Sequence, residues 1–439
     1  MDLINSLLGF VIAIGILVTF HEYGHFIVAR ICNVKVLKFS VGFGKSLIKF
    51  QSDKNSTEYS LCMIPLGGYV QMLESKTPDG QSNNINKQEH KYCFDKQNVY
   101  QRFAIVAAGP IFNLILAIIF FTMTYLNGIG GIKPTINVGD SDNVLQIVSV
   151  NHTSVKRWQD VRIEILNNVM NDSSITMSLK DSNTKELSKY VINYDSSVLN
   201  MEGDIIKNIG LKMSLPYSHA IIGSVSNQPN NKNIRVGDKI VFVDNKPIKS
   251  WIKFVEYIHN NPDKTINIIA VRKNKEVEYT ADILTKNNIG YLGVSQKSDL
   301  SSYVIVNYSF KDAIAKAFHS TTDYTILTFK MIGRLVIGEA NVKNLSGPLS
   351  IAQFSGKSLE MGLSYFLFLL AVLSVSLGVL NLLPIPMLDG GHLAYYTYEM
   401  LIGKEIPYSI QMGAQFIGLA ILGLIMIVAF YNDFVRIFA

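Results

Sequence analysis

Four long segments without a charged side chain constrain this chain more than any other feature of its sequence. The segments are Leu3 to Phe20, Phe103 to Leu126, Met361 to Leu388 and Ile406 to Asn432. A helix needs about 20 mostly apolar residues to cross the core of a bilayer. Since 48% of the 439 residues are hydrophobic, the sequence predicts a polytopic α-helical membrane protein with four transmembrane helices.

A cleavable signal peptide is the alternative interpretation of the first apolar segment. Such a peptide needs a basic region at its start and small residues at the cleavage site. No Lys or Arg precedes Arg30, and His21 stands where cleavage would fall. We therefore predict that the segment is retained as a transmembrane helix.

The distribution of Lys and Arg predicts the orientation. Short loops rich in these residues stay in the cytoplasm, whereas long domains are translocated largely regardless of charge. Lys and Arg are in excess between the first two apolar segments. We therefore predict that residues 31–102 are cytoplasmic, and that residues 127–360 and both termini lie outside. The net charge of +6 is consistent with this topology, and without an Arg-rich cluster we predict no nucleic-acid partner.

A pair of histidines lies at the end of the first apolar segment. The stretch HEYGH places His21 and His25 four residues apart, so both lie on one face of a helix and can bind the same metal ion. Glu22 is offset by roughly 100° and can reach a water molecule at that metal without binding the metal. The alternative is an interfacial histidine pair at a helix end. Ionisable side chains in a transmembrane helix are costly, however, and usually functional.

A catalytic zinc site needs a third protein ligand and an open position for water. The clearest candidate is Asp389 in NLLPIPMLDGGHL (381–393), where Pro384 and Pro386 interrupt the third apolar segment. His392 is a competing ligand. We favour Asp389, because two histidines and a carboxylate form a known catalytic zinc set. The predicted cofactor is Zn²⁺.

The residues after the histidine pair do not follow a helical pattern. VKVLKFSVGFGKSLIKF and TEYSLCMIPLGGYVQM alternate between apolar and polar residues and are interrupted by glycines, which predicts short strands and tight turns. These strands directly follow the histidine-bearing segment, so they can return into the membrane. Such backbone is tolerated there only when it is buried in protein or lines a wet cavity.

The hydrophilic insert between the second and third apolar segments contains an approximate internal repeat. The two copies are VLQIVSVNHTSVKRWQDVRIEIL (144–166) and VGDKIVFVDNKPIKSWIKFVEYI (236–258). Each copy predicts a short apolar strand, a polar turn and a tryptophan that begins an amphipathic helix. Two small α+β modules are therefore predicted, followed by an amphipathic helix over residues 309–334.

Together these motifs resemble the site-2 protease family of intramembrane zinc metalloproteases, in particular its RseP-type regulators of sigma E. The resemblance covers nearly the whole chain. Besides HEYGH and LDGG, the motifs that carry it are FSVGFGK (39–45), IPLGGYVQM (64–72), VAAGPIFN (106–113) and GPLSIAQ (347–353).

The resemblance implies that His21, His25 and Asp389 bind zinc and that Glu22 is the general acid and base. It also implies a membrane re-entrant β-hairpin over residues 38–72, whose edge can pair with substrate. The insert is similar to two PDZ-like domains in tandem. The first module lacks a clear glycine-containing carboxylate-binding loop, and in the second the stretch before the GD turn, SNQPNNKNIRVGDKI, is shorter than usual.

Further residues are implied to contact substrate. Asn381 and Pro384 would help to hold an unwound substrate segment near the metal. Four glycines of the hairpin are also candidates for substrate contact, and a role only in turns is an equal alternative; they are Gly42, Gly44, Gly67 and Gly68.

The function implied is hydrolysis of peptide bonds within transmembrane segments of single-pass membrane proteins. Substrates of this family type are an anti-sigma factor that has already received a first external cut, and remnant signal peptides. The resemblance implies a monomer in contact with membrane lipid, located in the bacterial inner membrane, with the insert and both termini in the periplasm.

Two alternatives belong to other functional classes. A catalytically silent adaptor or chaperone of the same fold would lack one of the four residues Glu22, His21, His25 and Asp389, and all are present. A zinc transporter would carry several acidic residues along a path through the membrane, whereas these segments hold essentially one cluster.

The predicted domains are 1–31 (first transmembrane helix with HExxH), 32–102 (re-entrant β region and cytoplasmic loop), 103–128 (second transmembrane helix), 129–212 and 213–300 (PDZ-like domains), 301–360 (amphipathic helix and linker), 361–388 (third transmembrane helix) and 389–439 (cytoplasmic turn and fourth transmembrane helix).

Overall fold

The computed structural model describes residues 2–53, 56–75, 86, 88–137, 144–171, 174–181, 184–194, 205–211, 219–226, 233–286, 289–297 and 303–438. Much of the predicted cytoplasmic loop, and the predicted module boundaries at 212–213 and 300–301, lie outside the described residues. The chain divides into two compact units. The first is formed within residues 1–129 and 306–439, and the second within residues 130–198 and 204–305.

The helices are α1 (Asp2–Ile31), α2 (Val99–Asn127), α3 (Trp158–Met170), α4 (Ile205–Asn208), α5 (Trp251–His259), α6 (Phe310–Val336), α7 (Pro348–Met361), α8 (Leu363–Leu382), α9 (Asp389–Ile402) and α10 (Tyr408–Phe438). The strands are β1 (Val36–Phe50), β2 (Glu58–Met72), β3 (Ile129–Ile132), β4 (Thr135–Asn137), β5 (Val144–Val150), β6 (Thr153–Ser154), β7 (Ile175–Asp181), β8 (Leu187–Ile192), β9 (Ile222–Val225), β10 (Lys239–Val243), β11 (Lys246–Pro247), β12 (Thr265–Arg272), β13 (Lys275–Asp282), β14 (Leu284–Lys286), β15 (Ile289–Tyr291), β16 (Val294–Gln296) and β17 (Tyr303–Val306).

Among the residues that the structure describes, four helices are long and apolar enough to cross a membrane: α1, α2, α8 and α10. This confirms the four predicted spanning helices. The third is shorter than the uncharged segment suggested. It ends at Leu382, because Pro384 and Pro386 lack a backbone N–H and disfavour a helix before them. The residues that were predicted as a turn after this segment form α9 instead.

The second spanning helix begins earlier than the uncharged segment predicted. α2 starts at Val99, where the side chain of Asn98 accepts a hydrogen bond from the Gln101 amide and caps the helix. Arg102 lies in the first turns of α2 and pairs with Glu399 of α9 at 2.6 Å. The ion pair lets a charged residue be part of the helix, which a search for uncharged residues cannot anticipate.

The buried core of the first unit lies where α1, α2, α6 and α8 meet. Its fully buried side chains include Leu17 of α1, Phe121 of α2 and Val375 of α8. The amphipathic helix α6 contributes the small residues Ala313 and Ala317 to the same core. This packing fixes α1 against α2 and α8, which carry the residues around the candidate site.

The residues after α1 form a folded-over β-hairpin. β1 and β2 are each 15 residues long, longer than the short strands predicted. Their register is irregular, and Ser40 lies opposite both Tyr69 and Ser60. The first half of β1 is therefore flanked by the two ends of β2. The last segment of β2, Gly68 to Met72, is paired with the first half of β1.

The second unit repeats one local arrangement. In the first copy β5 turns into β6 and α3 begins at Trp158; in the second, β10 turns into β11 and α5 begins at Trp251. The corresponding sheets have the strand orders β4-β5-β7-β8 and β11-β10-β12-β13. Each copy therefore has the strand, turn and tryptophan-initiated helix that the repeat predicted.

Candidate active site

The two histidines of α1 meet on one face of the helix. His21 and His25 are separated by about one turn, and their rings are 4.8 Å apart between centroids. Their Nε2 atoms lie 3.3 Å from each other, and both residues are 92% buried. Two unprotonated ring nitrogens at this distance present converging lone pairs, the arrangement that a bound cation stabilises.

Asp389 completes the group from a different part of the chain. It is the first residue of α9, immediately after the non-helical connection from α8. Its Oδ2 atom lies 3.1 Å from His21 Nε2 and 3.4 Å from His25 Nε2. The three residues thus form a triangle of ligand atoms, and among the described residues they form a group able to hold a metal ion.

The dimensions of this triangle fit zinc. Four ligands arranged tetrahedrally at about 2.0–2.1 Å from zinc lie about 3.3–3.4 Å from one another. The three observed separations are 3.1, 3.3 and 3.4 Å. Asp389 Oδ2 is also buried without a hydrogen bond of normal geometry to any described residue. Since an orphaned buried carboxylate oxygen is costly, the donor set suits a cation at the centre of the triangle.

The other ring nitrogen of each histidine is held by α2. His25 Nδ1 donates to the carbonyl oxygen of Ile105 at 2.9 Å. His21 Nδ1 lies 3.1 Å from the side-chain amide of Asn113. Partners of this kind orient a ligand ring and leave Nε2 for the metal. Asn113 is the last residue of the motif VAAGPIFN (106–113), but no role was predicted for it, although a polar residue inside an otherwise apolar span was a usable signal.

Glu22 lies beside the triangle in a cavity of about 500 Å³. The lining of this cavity also includes His21, His25, Asp389 and the end of β2. A Cβ atom on Gly68 would stand 3.0 Å from Glu22 Cγ and 2.6 Å from the Ser40 carbonyl oxygen. Only glycine lets β2 approach Glu22 this closely, so the hairpin forms one wall beside that carboxylate.

The other residues predicted to contact substrate do not line this cavity. Gly42, Gly44 and Gly67 lie within the hairpin and have positive φ, which suits a role in its bends. Asn381 lies in the last turn of α8, and Pro384 lies in the connection that leads to Asp389. Of the predicted substrate-binding residues, Gly68 is the one found in the lining of the cavity.

His392, the competing ligand, lies one turn after Asp389. It lines the same cavity but is not part of the three-residue group. The cavity also contains Glu74, Asp95 and Arg102. Burial raises the pKa of Glu74 above its ordinary value, and the Asp95 carboxylate adds to that effect. This part of the cavity is therefore polar, so water can reach the candidate site.

Comparison with known proteins identifies the family of the chain. The sequence model of peptidase family M50 matches residues 9–425, nearly the whole chain. The chain belongs to peptidase family M50. The HExxH helix and the distant aspartate that meet in the structure lie inside the matched region.

Several relatives match this M50 peptidase along nearly their whole length. A Neisseria meningitidis protein described as a candidate zinc metalloprotease is 35% identical over 457 residues, which covers 99% of each chain. The regulator of sigma-E protease RseP of Escherichia coli K12 is 33% identical over 453 residues, covering 98% of this chain and 99% of that protein. The regulator of sigma E protease of Haemophilus influenzae is 32% identical over 454 residues and is covered in full.

This M50 peptidase is a zinc metalloprotease of the intramembrane site-2 type, and it is a membrane protein. Among solved structures, a PDZ domain from Listeria monocytogenes aligns with 20% of the chain at 23% identity, with a TM-score of 0.18. That score is too low to establish a shared fold for the insert.

Proposed function

We propose that His21, His25 and Asp389 hold one zinc ion and that Glu22 is the general acid and base for peptide hydrolysis. The observation that carries this proposal is the triangle of ligand atoms with edges of 3.1 to 3.4 Å. Glu22 is the neighbour of His21 in sequence but points into the adjoining cavity. Glu22 therefore lies close to the proposed metal position without being one of the three ligands.

The roles of the chain's own groups follow from this arrangement. Zinc held by His21, His25 and Asp389 would supply a Lewis acid for the scissile carbonyl and for a water molecule, whose pKa a catalytic zinc lowers to about 7. Glu22 accepts the proton of the attacking water and returns it to the leaving amine. Ile105 and Asn113 hold the histidine rings in place during this exchange.

The substrates we propose are transmembrane segments of single-pass membrane proteins. The two histidines lie on α1 and their partners Ile105 and Asn113 lie on α2. Both helices are long and apolar enough to span a membrane, which supports a scissile peptide bond within the bilayer. The names of the relatives, regulators of sigma-E protease, favour an anti-sigma factor already cut outside the membrane. Remnant signal peptides fit the same description.

A transmembrane substrate must be unwound before hydrolysis, because the amides of a helix are already hydrogen-bonded. We assign this role to the end of β2. Gly68, Tyr69, Val70 and Met72 line the cavity beside Glu22. Among the described residues, this segment pairs with β1 alone. An extended substrate can therefore add a strand here, with Asn381 and Pro384 holding the unwound segment from the α8 side.

The hairpin carries apolar side chains that suit a re-entrant position in the membrane. The exposed ones are Phe43, Leu47, Ile48, Phe50, Leu61, Met63 and Ile64. An exposed apolar patch of this size in a soluble environment would favour aggregation, whereas contact with lipid or substrate covers it.

Cross-linking tests the proposal that substrate adds a strand to the end of β2. Cysteines placed along a substrate should link to a cysteine at Tyr69 with a period of two, and a helical period of three to four would contradict it.

The second unit, in this proposal, consists of two PDZ-like domains that exclude substrates with bulky external domains. The repeated strand, turn and helix in both copies support two modules. Deletion of residues 129–300 should then allow cleavage of substrates that keep a large external domain. Loss of all cleavage by a folded deletion variant would instead favour recruitment of substrate by the insert.

The proposed location is the bacterial inner membrane, with residues 31–102 in the cytoplasm and the insert and both termini in the periplasm. The excess of Lys and Arg after α1 supports this orientation. The test uses single cysteines at Lys91 and Lys273 in a variant whose three native cysteines are replaced. An impermeant thiol reagent applied to the periplasm should label the cysteine at 273. Labelling only at 91 would reverse the topology.

One experiment tests the function as a whole. Purified protein is incubated in detergent or lipid with a model single-pass substrate, with a chelator and after zinc is restored. Cleavage within the apolar segment should stop with the chelator and recover with zinc. Cleavage that persists in the zinc-free protein would contradict the proposed mechanism.

A further inference from the structure

Asn113 is a polar residue in the middle of a spanning helix and is completely buried. Its side-chain nitrogen lies 3.1 Å from His21 Nδ1. Its side-chain oxygen is buried without a hydrogen bond to any described residue. A buried amide with an unsatisfied oxygen is expensive in an apolar environment, so this side chain is held at His21 for a reason other than packing.

We infer that Asn113 is a positioning residue that fixes the ring of His21 for zinc binding; this inference rests on the proposed function. A histidine that binds a metal through Nε2 carries its proton on Nδ1. That proton needs an acceptor, and the amide oxygen of Asn113 is the group of the right chemistry beside it. The two ends of a side-chain amide have the same shape, so the hydrogen-bond chemistry decides which end faces the ring.

This assignment gives the buried oxygen a partner. With the oxygen turned toward the ring, His21 Nδ1–H donates to Asn113, and His21 Nε2 keeps its lone pair directed at the triangle. In the opposite orientation the amide N–H would require Nδ1 as acceptor. The proton of the neutral ring would then sit on Nε2, where it blocks a metal. The orientation of the Asn113 amide therefore decides whether the His21 ring can bind zinc through Nε2.

α8 holds Asn113 itself in place. The Ser374 hydroxyl donates to the main-chain carbonyl oxygen of Asn113 at 2.7 Å. Gly378 allows α8 to approach, since a Cβ atom there would stand 3.3 Å from the Asn113 Cβ. His25 is supported differently, by the backbone oxygen of Ile105, which no side-chain substitution removes. Asn113 is thus the support that mutation can remove selectively.

The test compares three substitutions in the full-length protein. Asn113→Leu has a similar volume without an acceptor, and Asn113→Ala removes the acceptor while leaving more room. Asn113→Asp keeps an acceptor oxygen at the same position. The control is Thr124→Val, which removes a fully buried hydroxyl of the same helix that bonds to the Phe120 carbonyl oxygen at 2.8 Å. Zinc affinity is measured by competition with a chelator, and the visible spectrum is recorded after cobalt replaces zinc.

Loss of a partner at a metal-bound histidine typically weakens metal affinity about 10- to 100-fold. We expect a loss of that size for Asn113→Leu and Asn113→Ala, together with a changed cobalt spectrum. Asn113→Asp and Thr124→Val should bind zinc within a few-fold of the parent protein. Unchanged affinity in either acceptor-free variant, or an equal loss in Asn113→Asp, would overturn the inference. If the parent protein itself binds no zinc, the proposed function is wrong, and the assignment of Asn113 falls with it. A parent protein that binds zinc while the variants behave as stated above separates the two failures.

Discussion

Gly109 of α2 packs directly against His25 of α1. A Cβ atom placed on Gly109 would stand 2.3 Å from His25 Nε2 and 2.7 Å from His21 Cε1. Carbon atoms do not approach other heavy atoms so closely without displacing them. The His25 ring cannot simply move away, because its Nδ1 donates to the Ile105 carbonyl oxygen.

We therefore predict that Gly109→Ala separates the ligand atoms. A displacement of about 1 Å at a catalytic site can cost roughly 10²-fold in rate, and zinc content should fall in parallel. The matched control is Gly423→Ala in α10, because a Cβ atom at Gly423 meets no atom within 4 Å. Both variants are assayed for bound zinc and for cleavage. Normal zinc content and rate in Gly109→Ala would show that the ring can adapt and that the contact is unimportant.

Glu22→Gln should abolish proteolysis while leaving zinc bound. Glutamine has nearly the same shape as glutamate, so the packing against Gly68 is preserved, but it cannot accept a proton. Loss of a general base typically lowers the rate by about 10²–10⁴-fold. The control is Glu360→Gln, the same change at the exposed carboxylate that accepts from Asn5. Near-normal cleavage by a zinc-loaded Glu22→Gln protein would rule out the assigned role.

Zinc analysis of two further variants distinguishes Asp389 from His392 as the third ligand. Asp389 Oδ2 lies 3.1 Å from His21 Nε2, whereas His392 lies outside the group of ligand atoms. We predict that Asp389→Ala loses most of its zinc and that His392→Ala retains it. The opposite result would assign the metal to His392.

The sequence was sufficient to predict the parts of the site that depend on spacing along one element. His21, Glu22 and His25 are close in sequence, so the helical repeat alone brings them together. Asp389 could be predicted from the sequence because carboxylates are rare near apolar segments and because two prolines precede it. The four spanning helices followed from the length of the uncharged segments, and the structure contains them.

Contacts between elements could not be predicted in this way. The proximity of Gly109 to His25, and of Gly68 to Glu22, depends on how α2 and β2 pack against α1. Asn113 is polar, but nothing in its sequence neighbourhood shows which histidine it faces. The start of α2 was missed because the ion pair of Arg102 with Glu399 joins residues that are 297 positions apart. These features depend on tertiary packing, which periodicity does not encode.

The second repeat of the insert contains a buried ion pair that should make its stability depend on pH. Asp238 is fully buried and accepts hydrogen bonds from Arg272 at 2.7 and 2.8 Å and from Tyr279 at 3.0 Å. Burial acts to raise the pKa of Asp238. The hydrogen bonds from Arg272, the Arg235 amide and Tyr279 outweigh burial, so the pKa lies below its ordinary value.

Because the folded pKa of Asp238 is depressed, its contribution to stability is complete above the unfolded pKa of about 4. It is lost as the pH falls through the lower folded value. Asp238→Ala should lower the free energy of unfolding at pH 7 by about 3 kcal/mol, as expected when one partner of a buried ion pair is removed. Unfolding is followed by the fluorescence of Trp251 in a Trp158→Phe background, with exposed Glu276→Ala as control. An equally steep loss of stability below pH 4 in Asp238→Ala and in the parent protein would contradict this origin.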